Sequence, residues 1–311
     1  MVACGVGSVI GAHKLLYIVG ALPPPTITGT SCINEKFLDL RNAELGSRNF
    51  LAVGSSVTWR NLDGAALMRA LPDASPYNAA PCYIHVDQIA FLANFLLPHM
   101  PNIKTVLFIT APRDFEDCTP SQTEFFNTDL ATAYISRWIP VWLPYVSGFR
   151  PIRLARDAYA MLKSGAYNPA RTARYDAYGS SVLTQTQEWR PAFKIDRSCF
   201  DGLTRLETIV FERGGRLIIG TLPVMESWRA VEDPDGSNMD RWMQGMRDAL
   251  KASSTRLIDG RDLPWRDSDF ADPVHVLFPF HTKLTEFYAA RIREFEQGAS
   301  NVAPSRHPSG G

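Results

Sequence analysis

Short apolar runs alternate with longer amphipathic stretches along most of the chain. This alternation is typical of a parallel sheet whose strands are joined by crossover helices. The apolar runs predict strands at 50–53, around Tyr77, at 104–110, 217–221 and 255–258. The amphipathic stretches predict helices at 63–71, 86–98, 203–213, 239–252 and 282–295, with Asp63 and Thr282 as N-caps of the first and last. We therefore expect an α/β fold, a three-layer α/β/α sandwich around a mostly parallel sheet.

The periodicity changes between residues 120 and 200, where aromatic side chains and arginines become frequent. We predict a mostly helical insertion above the edge of the sheet. Its aromatic residues fit three roles: a satellite core, a surface on which sugar rings stack, or a face for a membrane or a protein partner. The apolar run at 138–144 would suit the last role.

The first part of the chain is harder to assign. Residues 9–22 are apolar, but His13 and Lys14 interrupt them and the run is shorter than the ~20 residues that span a bilayer. A weak signal segment, the remnant of a membrane anchor, and a first strand with a turn at 23–25 all fit this pattern. The predicted organisation is an N-terminal extension, a main domain containing the insertion, and a disordered tail: residues 1–41, 42–297 and 298–311.

Composition narrows the function classes. The chain has 32 basic and 32 acidic residues, so its net charge is zero and does not favour nucleic acid as a partner. Five cysteines are scattered without a C-x-x-C pair, which argues against a zinc site. We expect buried thiols, with Cys82–Cys118 as the candidate disulfide in an oxidising compartment. A soluble or peripheral protein, with the cell envelope as candidate compartment, fits these features.

A glycine and two serines, Gly54-Ser55-Ser56, directly follow the first predicted strand. Ligands of open α/β sheets bind beyond the carboxyl ends of the strands, and glycine permits a sharp turn there. By itself such a turn fits a structural role, with a serine as helix cap. As part of a catalytic site it would present Ser56 as nucleophile, with Ser55 as the competitor.

A carboxylate and an imidazole lie close together just before the last predicted helix, in Asp272-Pro273-Val274-His275. Proline disfavours helix at the residue before it, so this segment is predicted to be a loop. Asp272 can then accept from His275 Nδ1 and direct Nε2 at a serine. A surface histidine is the alternative interpretation, and His281 is a competitor without an acid three residues upstream.

Two further strand ends carry groups that suit an oxyanion site. Arg113 and Asp114 follow the strand at 104–110, and a surface ion pair is their alternative role. Asn78 follows the weaker strand, where its amide or the N–H groups of Ala79 and Ala80 would face the same oxygen.

The order of these four loops resembles that of the SGNH/GDSL hydrolase superfamily. Gly54-Ser55-Ser56 matches its Gly-Asp-Ser block with serine in place of aspartate, and residues 272–275 match its terminal Asp-x-x-His. Residues 111–114 match its Gly-x-Asn-Asp block only in position and in the aspartate. Ala80 or Cys82 stands where its second block has glycine. The Gly-Ser-Ser form and the phrase Phe-Ala-Asp-Pro-Val-His resemble the branch of DltD-like and alginate O-acetylation-like proteins.

The resemblance covers roughly residues 49–295 apart from the insertion. It implies a flavodoxin-like SGNH fold and a serine-dependent esterase or O-acyltransferase that acts on O-acyl groups of a carbohydrate or on another small ester. Ser56 would attack the ester, His275 would carry the proton, and Asp272 would orient His275. Arg113 replaces the family's oxyanion asparagine, so it would bind an anionic substrate group or turn away. No metal or organic cofactor is implied.

Two rival functions remain open at this stage. A non-catalytic protein of the same fold would use the insertion to bind a polysaccharide or a membrane partner. A nucleotide-binding protein is disfavoured, because no Gly-x-Gly-x-x-Gly follows a strand.

Overall fold

The computed structural model describes residues 2–119, 122–147, 151–164, 176–261 and 263–301. Its central sheet has five parallel strands in the order β2-β1-β3-β4-β5. These strands are β1 (Phe50–Val53), β2 (Pro76–Asn78), β3 (Thr105–Thr110), β4 (Arg216–Thr221) and β5 (Arg256–Ile258). Two short strands, β6 (Phe270–Asp272) and β7 (His275–Val276), form a separate antiparallel pair. Helices flank the sheet, which confirms the predicted three-layer α/β/α sandwich.

Each face of the sheet packs against its own group of helices. One layer contains α2 (Ser31–Asn42), α5 (Val86–Leu96), α9 (Cys199–Glu212) and α11 (Ser237–Ala249). The other contains α3 (Ser56–Asn61), α4 (Gly64–Ala70), α10 (Glu226–Glu232) and α12 (Phe280–Asn301). Alternate residues of β3 belong to the two cores, with Phe108 in the first and Leu107 in the second. Burial on both faces explains why the strand reads as an unbroken apolar run.

The sheet order places the functional loops together. The chain leaves β1 and β3 toward opposite faces of the sheet. After β1 it enters α3, which belongs to the second layer. After β3 it continues to α9, which belongs to the first layer and leads into β4. In sheets of this order the crevice between β1 and β3 is the usual ligand site. The Gly-Ser-Ser turn after β1 and the Arg-Asp turn after β3 lie at this crevice.

The N-terminal segment is helical, with α1 at Val2–Ile18, so the predicted strand and turn are wrong. The ring of His13 lies 5.2 Å from that of Tyr145 in the insertion. None of the helices in the described part of the chain is long and apolar enough to cross a bilayer.

The insertion is only partly helical. Its helices are α6 (Thr128–Ile135), α7 (Leu143–Ser147) and α8 (Pro151–Ser164), whereas 176–198 forms none. Residues 176–198 instead run beside β6 and the residues that follow β7. Gln187 N donates to Ala271 O at 2.7 Å, and Phe278 N donates to Leu183 O at 2.8 Å. Residues 120–121, 148–150 and 165–175 of the insertion lie outside the described residues.

Two details at the end of the chain differ from the prediction. The last helix begins at Phe280, so Thr282 lies inside it, and its hydroxyl donates to Asp63 Oδ2 at 2.7 Å instead of capping α12. The helix also extends to Asn301, four residues into the predicted tail (298–301), and residues 302–311 lie outside the described part.

Two disulfides join helices to loops at the carboxyl edge of the sheet. Cys32 pairs with Cys82, and Cys118 pairs with Cys199, with Cα atoms 6.0 and 5.2 Å apart. The candidate pair Cys82–Cys118 is therefore wrong. Cys82 and Cys118 are instead each bonded to a cysteine in the first turn of a helix of the first layer, α2 and α9.

We expect reduction to destabilise the fold strongly. Loops of 50 and 81 residues closed by a disulfide correspond to roughly 4 kcal/mol each in the chain-entropy description. The midpoint of thermal unfolding should therefore fall by roughly 10 °C or more on reduction. Differential scanning calorimetry with and without a phosphine reductant measures this shift.

Alkylation checks the pairing independently. In denaturant without reductant, iodoacetamide should label only Cys4, and after reduction it should label all five cysteines. Labelling of all five before reduction would contradict both disulfides.

Candidate active site

Ser56, His275 and Asp272 form a continuous hydrogen-bonded chain across 219 positions of sequence. Ser56 Oγ lies 3.0 Å from His275 Nε2. His275 Nδ1 lies 2.8 Å from Asp272 Oδ2 and 2.9 Å from Oδ1. Asp272 is fully buried, whereas Ser56 is half-buried and reachable from solvent. The predicted meeting of these two segments is confirmed, and the geometry is that of a nucleophile, a base and a carboxylate that orients the base.

The turn before Ser56 explains how the serine reaches this position. Gly54 has φ +154°, and a Cβ there would overlap the side chain of Thr58. The Thr58 hydroxyl donates to Val53 O at 3.0 Å or Ile109 O at 2.7 Å and accepts from Ile109 N at 3.1 Å. The first turn of α3 is thus held directly against β1 and β3, and only glycine leaves room for it.

The two serines have different roles in the fold. Ser55 caps α3, because its Oγ accepts from Val57 N at 3.1 Å, and its hydroxyl donates to the buried Asp114 Oδ1. Ser56 is the first residue of α3 and carries the hydroxyl that faces His275. The competition between the serines is therefore decided by geometry in favour of Ser56.

Asp114 is a buried carboxylate that joins the turn after β3 to the turn after β1. Besides Ser55, it accepts from Thr110 Oγ1 at 2.9 Å and from Ala111 N at 3.2 Å. Burial raises the pKa of Asp114 to about 6, although these hydrogen bonds and nearby His275 oppose the rise. Asp114 lies beside the Ser55 turn, but it is fully buried, and its contacts are those of a support for the Ser55 cap and not of the predicted oxyanion or substrate-binding group.

The groups after β2 are already used within the protein. Asn78 Nδ2 donates to Ser180 Oγ at 3.0 Å and to Thr58 O at 3.2 Å, while its Oδ1 accepts from Ala80 N at 3.1 Å. Ala79 N donates to Ala52 O at 2.9 Å. Ala80 is also fully buried, which removes its N–H and the Asn78 amide as oxyanion donors in this conformation. A sequence pattern cannot show that the side-chain oxygen of Asn78 accepts a hydrogen bond from the backbone N–H of Ala80.

Arg113 turns toward its own loop. Its guanidinium pairs with Glu116 and lies 5.9 Å from the ring of Trp189, with the side chain 38% exposed. This arrangement corresponds to the predicted alternative in which Arg113 leaves the oxyanion position. In the described part of the chain, the backbone N–H of Ser56 has no protein acceptor, so it is the donor that remains for an oxyanion.

His281 does not compete with His275. Its Nε2 lies 3.9 Å from Asp63 Oδ2, so it faces the residue that caps α4. Burial lowers the pKa of His281. Among the described residues, no group of three or more His, Cys, Asp or Glu side chains is arranged to hold a metal ion.

Asn61 makes contacts with the triad loop that the sequence did not predict. It is fully buried at the end of α3, and its side chain binds the peptide groups on both sides of His275. Its Oδ1 accepts from Val276 N at 2.8 Å, and its Nδ2 donates to Val274 O at 2.9 Å and to Val57 O at 2.7 Å. Asn61 therefore fixes His275 relative to the helix that carries Ser56. The sequence carries no distinctive signal for it, since Asn61 is one of four polar residues on the short helix α3.

No protein-family model matches the chain, and no curated protein sequence matches it.

We expect Asn61→Asp to slow the reaction of Ser56 without changing substrate affinity. An oxygen in place of Nδ2 would face the carbonyls of Val274 and Val57 and displace the segment that carries His275. A displacement near 1 Å costs up to about 10²-fold in rate, so kcat should fall about 10- to 100-fold at constant KM. Ester hydrolysis and the rate of fluorophosphonate labelling measure this loss.

Asn34→Asp is the matched control. Asn34 is also buried and bonds a backbone pair, Thr28 N at 2.7 Å and Thr28 O at 3.1 Å, but it lies on α2. Equal rate losses in the two variants would show a general loss of stability. An unchanged kcat in folded Asn61→Asp would refute the positioning role.

Asp114 should make stability depend on pH in an unusual direction. Its pKa is about 6 in the folded chain, against about 3.9 when unfolded. Between these values the folded state binds more protons, so this group's contribution to stability falls as pH rises. Wild type should therefore gain on the order of 2 kcal/mol relative to Asp114→Asn between about pH 7.5 and 4.5. Urea unfolding of both proteins at the two pH values tests this, and a constant difference would contradict it.

Proposed function

We propose that this chain is a serine-dependent esterase or O-acyltransferase of the SGNH type. The observation that carries the proposal is the unbroken series Ser56 Oγ, His275 and Asp272, with contacts of 3.0 and 2.8 Å. The half-buried serine hydroxyl bonds to a buried histidine, and the histidine bonds to a fully buried carboxylate. Such an arrangement is suited to acyl transfer.

The reaction would proceed in two halves. Ser56 Oγ attacks the ester carbonyl while its proton passes to His275 Nε2. The tetrahedral intermediate collapses, the alcohol leaves with the proton from His275, and Ser56 holds the acyl group. Water or a second hydroxyl then gives its proton to His275 and attacks the acyl-serine, and His275 returns that proton to Ser56 Oγ as the acyl group leaves. Asp272 keeps the Nδ1 proton in place throughout and stabilises the imidazolium.

Oxyanion stabilisation would be limited in this conformation. The Ser56 N–H is available, whereas the donors after β2 and the Arg113 guanidinium are bonded elsewhere. Each missing donor costs about 10²–10³ in rate. A slow hydrolase, or a transferase whose donor substrate completes the site, fits this arrangement.

The same observation favours the alternative function, a non-catalytic polysaccharide-binding or assembly protein on an SGNH-like fold. A protein that had lost its oxyanion donors would retain the fold and its surface. The alternative does not explain why Asp272 bonds to the His275 ring and why Asn61 bonds to the peptide groups on both sides of His275.

The proposed substrate is an O-acyl group on a carbohydrate. Trp189 lies 5.9 Å from the Arg113 guanidinium and is 42% exposed, and aromatic faces and guanidinium forks are suited to sugar rings. Two disulfides favour an oxidising compartment, which supports the cell envelope as the place of action.

We expect the triad variants to abolish hydrolysis of p-nitrophenyl acetate. Ser56→Ala and His275→Ala should lose at least about 10³-fold in kcat, and Asp272→Asn about 10⁴-fold, because it fixes the wrong tautomer. A fluorophosphonate should label wild type at Ser56, as peptide mass spectrometry would show.

Ser55→Ala serves as the comparison, since it removes the neighbouring hydroxyl without removing the nucleophile. Because Ser55 also caps α3 and donates to Asp114, this variant should be labelled more slowly than wild type, but still at Ser56. Equal hydrolysis by wild type and all triad variants would reject the enzymatic function, and labelling at Ser55 would move the nucleophile by one residue.

A further inference from the structure

Helix α8 of the insertion exposes an apolar row. Four residues recur at intervals of three or four positions and so lie along one side of the helix: Ile152, Ala155, Tyr159 and Leu162. All four are exposed, and the three large side chains are between 62% and 86% exposed. The buried residues of α8, Asp157 and Ala158, lie outside this row. A surface helix normally turns its apolar row toward the core, so this row indicates contact with another partner.

Basic side chains border the row. Arg156 and Lys163 each follow a member of the row by one helical turn, and both are exposed. The only acidic residue in the sequence of α8, Asp157, is buried and pairs with Arg156 at 3.2 Å. Residues 130–175 contain seven basic residues and one acidic residue, although the whole chain has equal numbers of each. The exposed side of α8 is therefore both apolar and cationic.

Helix α1 exposes side chains of the same kind. It contacts the insertion through His13, whose ring lies 5.2 Å from that of Tyr145. Leu15 and Tyr17 are exposed on α1 beside exposed Lys14, and the sequence of the helix contains no acidic residue. Exposed tyrosines with aliphatic and cationic neighbours are typical of segments that lie at the boundary between water and lipid.

The charges of α8 distinguish between possible partners. A second copy of the helix, packed row against row, would bring Arg156 and Lys163 of both chains together, and such like-charge contacts are unfavourable. A bilayer with anionic phospholipids offers hydrocarbon to the row and phosphate to the cations. With 14 residues, α8 is shorter than the ~20 residues that span a bilayer, so it would lie in the plane of the surface.

We propose that α8 binds the surface of a bilayer that contains anionic phospholipid. The row from Ile152 to Leu162 enters the acyl region, and Arg156 and Lys163 contact the phosphates of the headgroups. The proposal stands apart from the proposed reaction, since no residue of the triad belongs to this surface.

Co-sedimentation of the full chain with lipid vesicles tests the proposal. Wild type should bind vesicles of phosphatidylcholine and phosphatidylglycerol more strongly than vesicles of phosphatidylcholine alone. Binding to the anionic vesicles should weaken as the salt concentration rises, because salt screens exposed charges. Lys163→Gln should lower the partition coefficient about 5-fold, the effect expected of one basic residue near an anionic surface.

A double variant tests the apolar row. Ile152→Ser combined with Leu162→Ser should lower the partition coefficient at least about 10-fold, because two apolar side chains no longer enter the bilayer. Phe211→Ser combined with Val231→Ser is the matched control. It also removes two large exposed apolar side chains, but from α9 and α10, and it should leave the partition coefficient unchanged.

Equal partition coefficients of wild type and the α8 double variant would overturn the proposal. Equal binding of wild type to both kinds of vesicle, or binding to neither, would also overturn it. A wild-type dimer that the α8 variant dissociates, measured by analytical ultracentrifugation, would assign the row to a second copy instead. A midpoint of thermal unfolding that falls in the α8 variant but not in the control would assign the row to packing within this chain, and would likewise reject the lipid surface.

Discussion

The site depends on the attachment of one short segment, 272–276, to the helix that begins at Ser56. These two parts of the chain are more than two hundred residues apart, so closing the loop between them costs conformational entropy that local contacts must offset. Asn61 supplies three hydrogen bonds for this purpose, two of them to the peptides that flank His275. Because Asn61 is fully buried, each of these bonds is protected from competition with water. The distance between Ser56 and His275 is therefore set by a side chain that takes no part in the chemistry.

A second support acts from the other side of the nucleophile. Asp114 holds Ser55, and Ser55 caps the helix that presents Ser56. The carboxylate accepts three hydrogen bonds, yet its pKa still rises to about 6, because burial outweighs them. The chain thus retains a buried acid that costs stability near neutral pH. Such a cost is typical of a residue kept for the geometry of a site rather than for the stability of the fold.

Sequence reasoning was sufficient for the parts of the molecule that depend on local pattern. The five strands follow from apolar runs, and the triad follows from a serine at a strand end and the Asp-x-x-His segment. Side-chain partners of backbone groups were not predictable in this way. No sequence pattern distinguishes Asn61 from Asn78, but Asn61 donates to Val274 O in the triad loop, whereas Asn78 accepts from Ala80 N. The disulfide partners likewise depend on which helix passes each loop in three dimensions.

The end of β2 shows how far the rigidity of this site extends. Lys36, a buried cation on α2, donates to Asn78 O at 3.0 Å and to Gly179 O at 2.6 Å. Burial lowers its pKa to about 8, although the nearby carboxylates of Asp39 and Asp176 oppose the fall. With its carbonyl held by Lys36 and its amide by Ser180 and Thr58, Asn78 has no group left to rearrange toward a substrate. In the proposed reaction, stabilisation of the oxyanion would then come from the Ser56 N–H, because the Arg113 guanidinium pairs with Glu116.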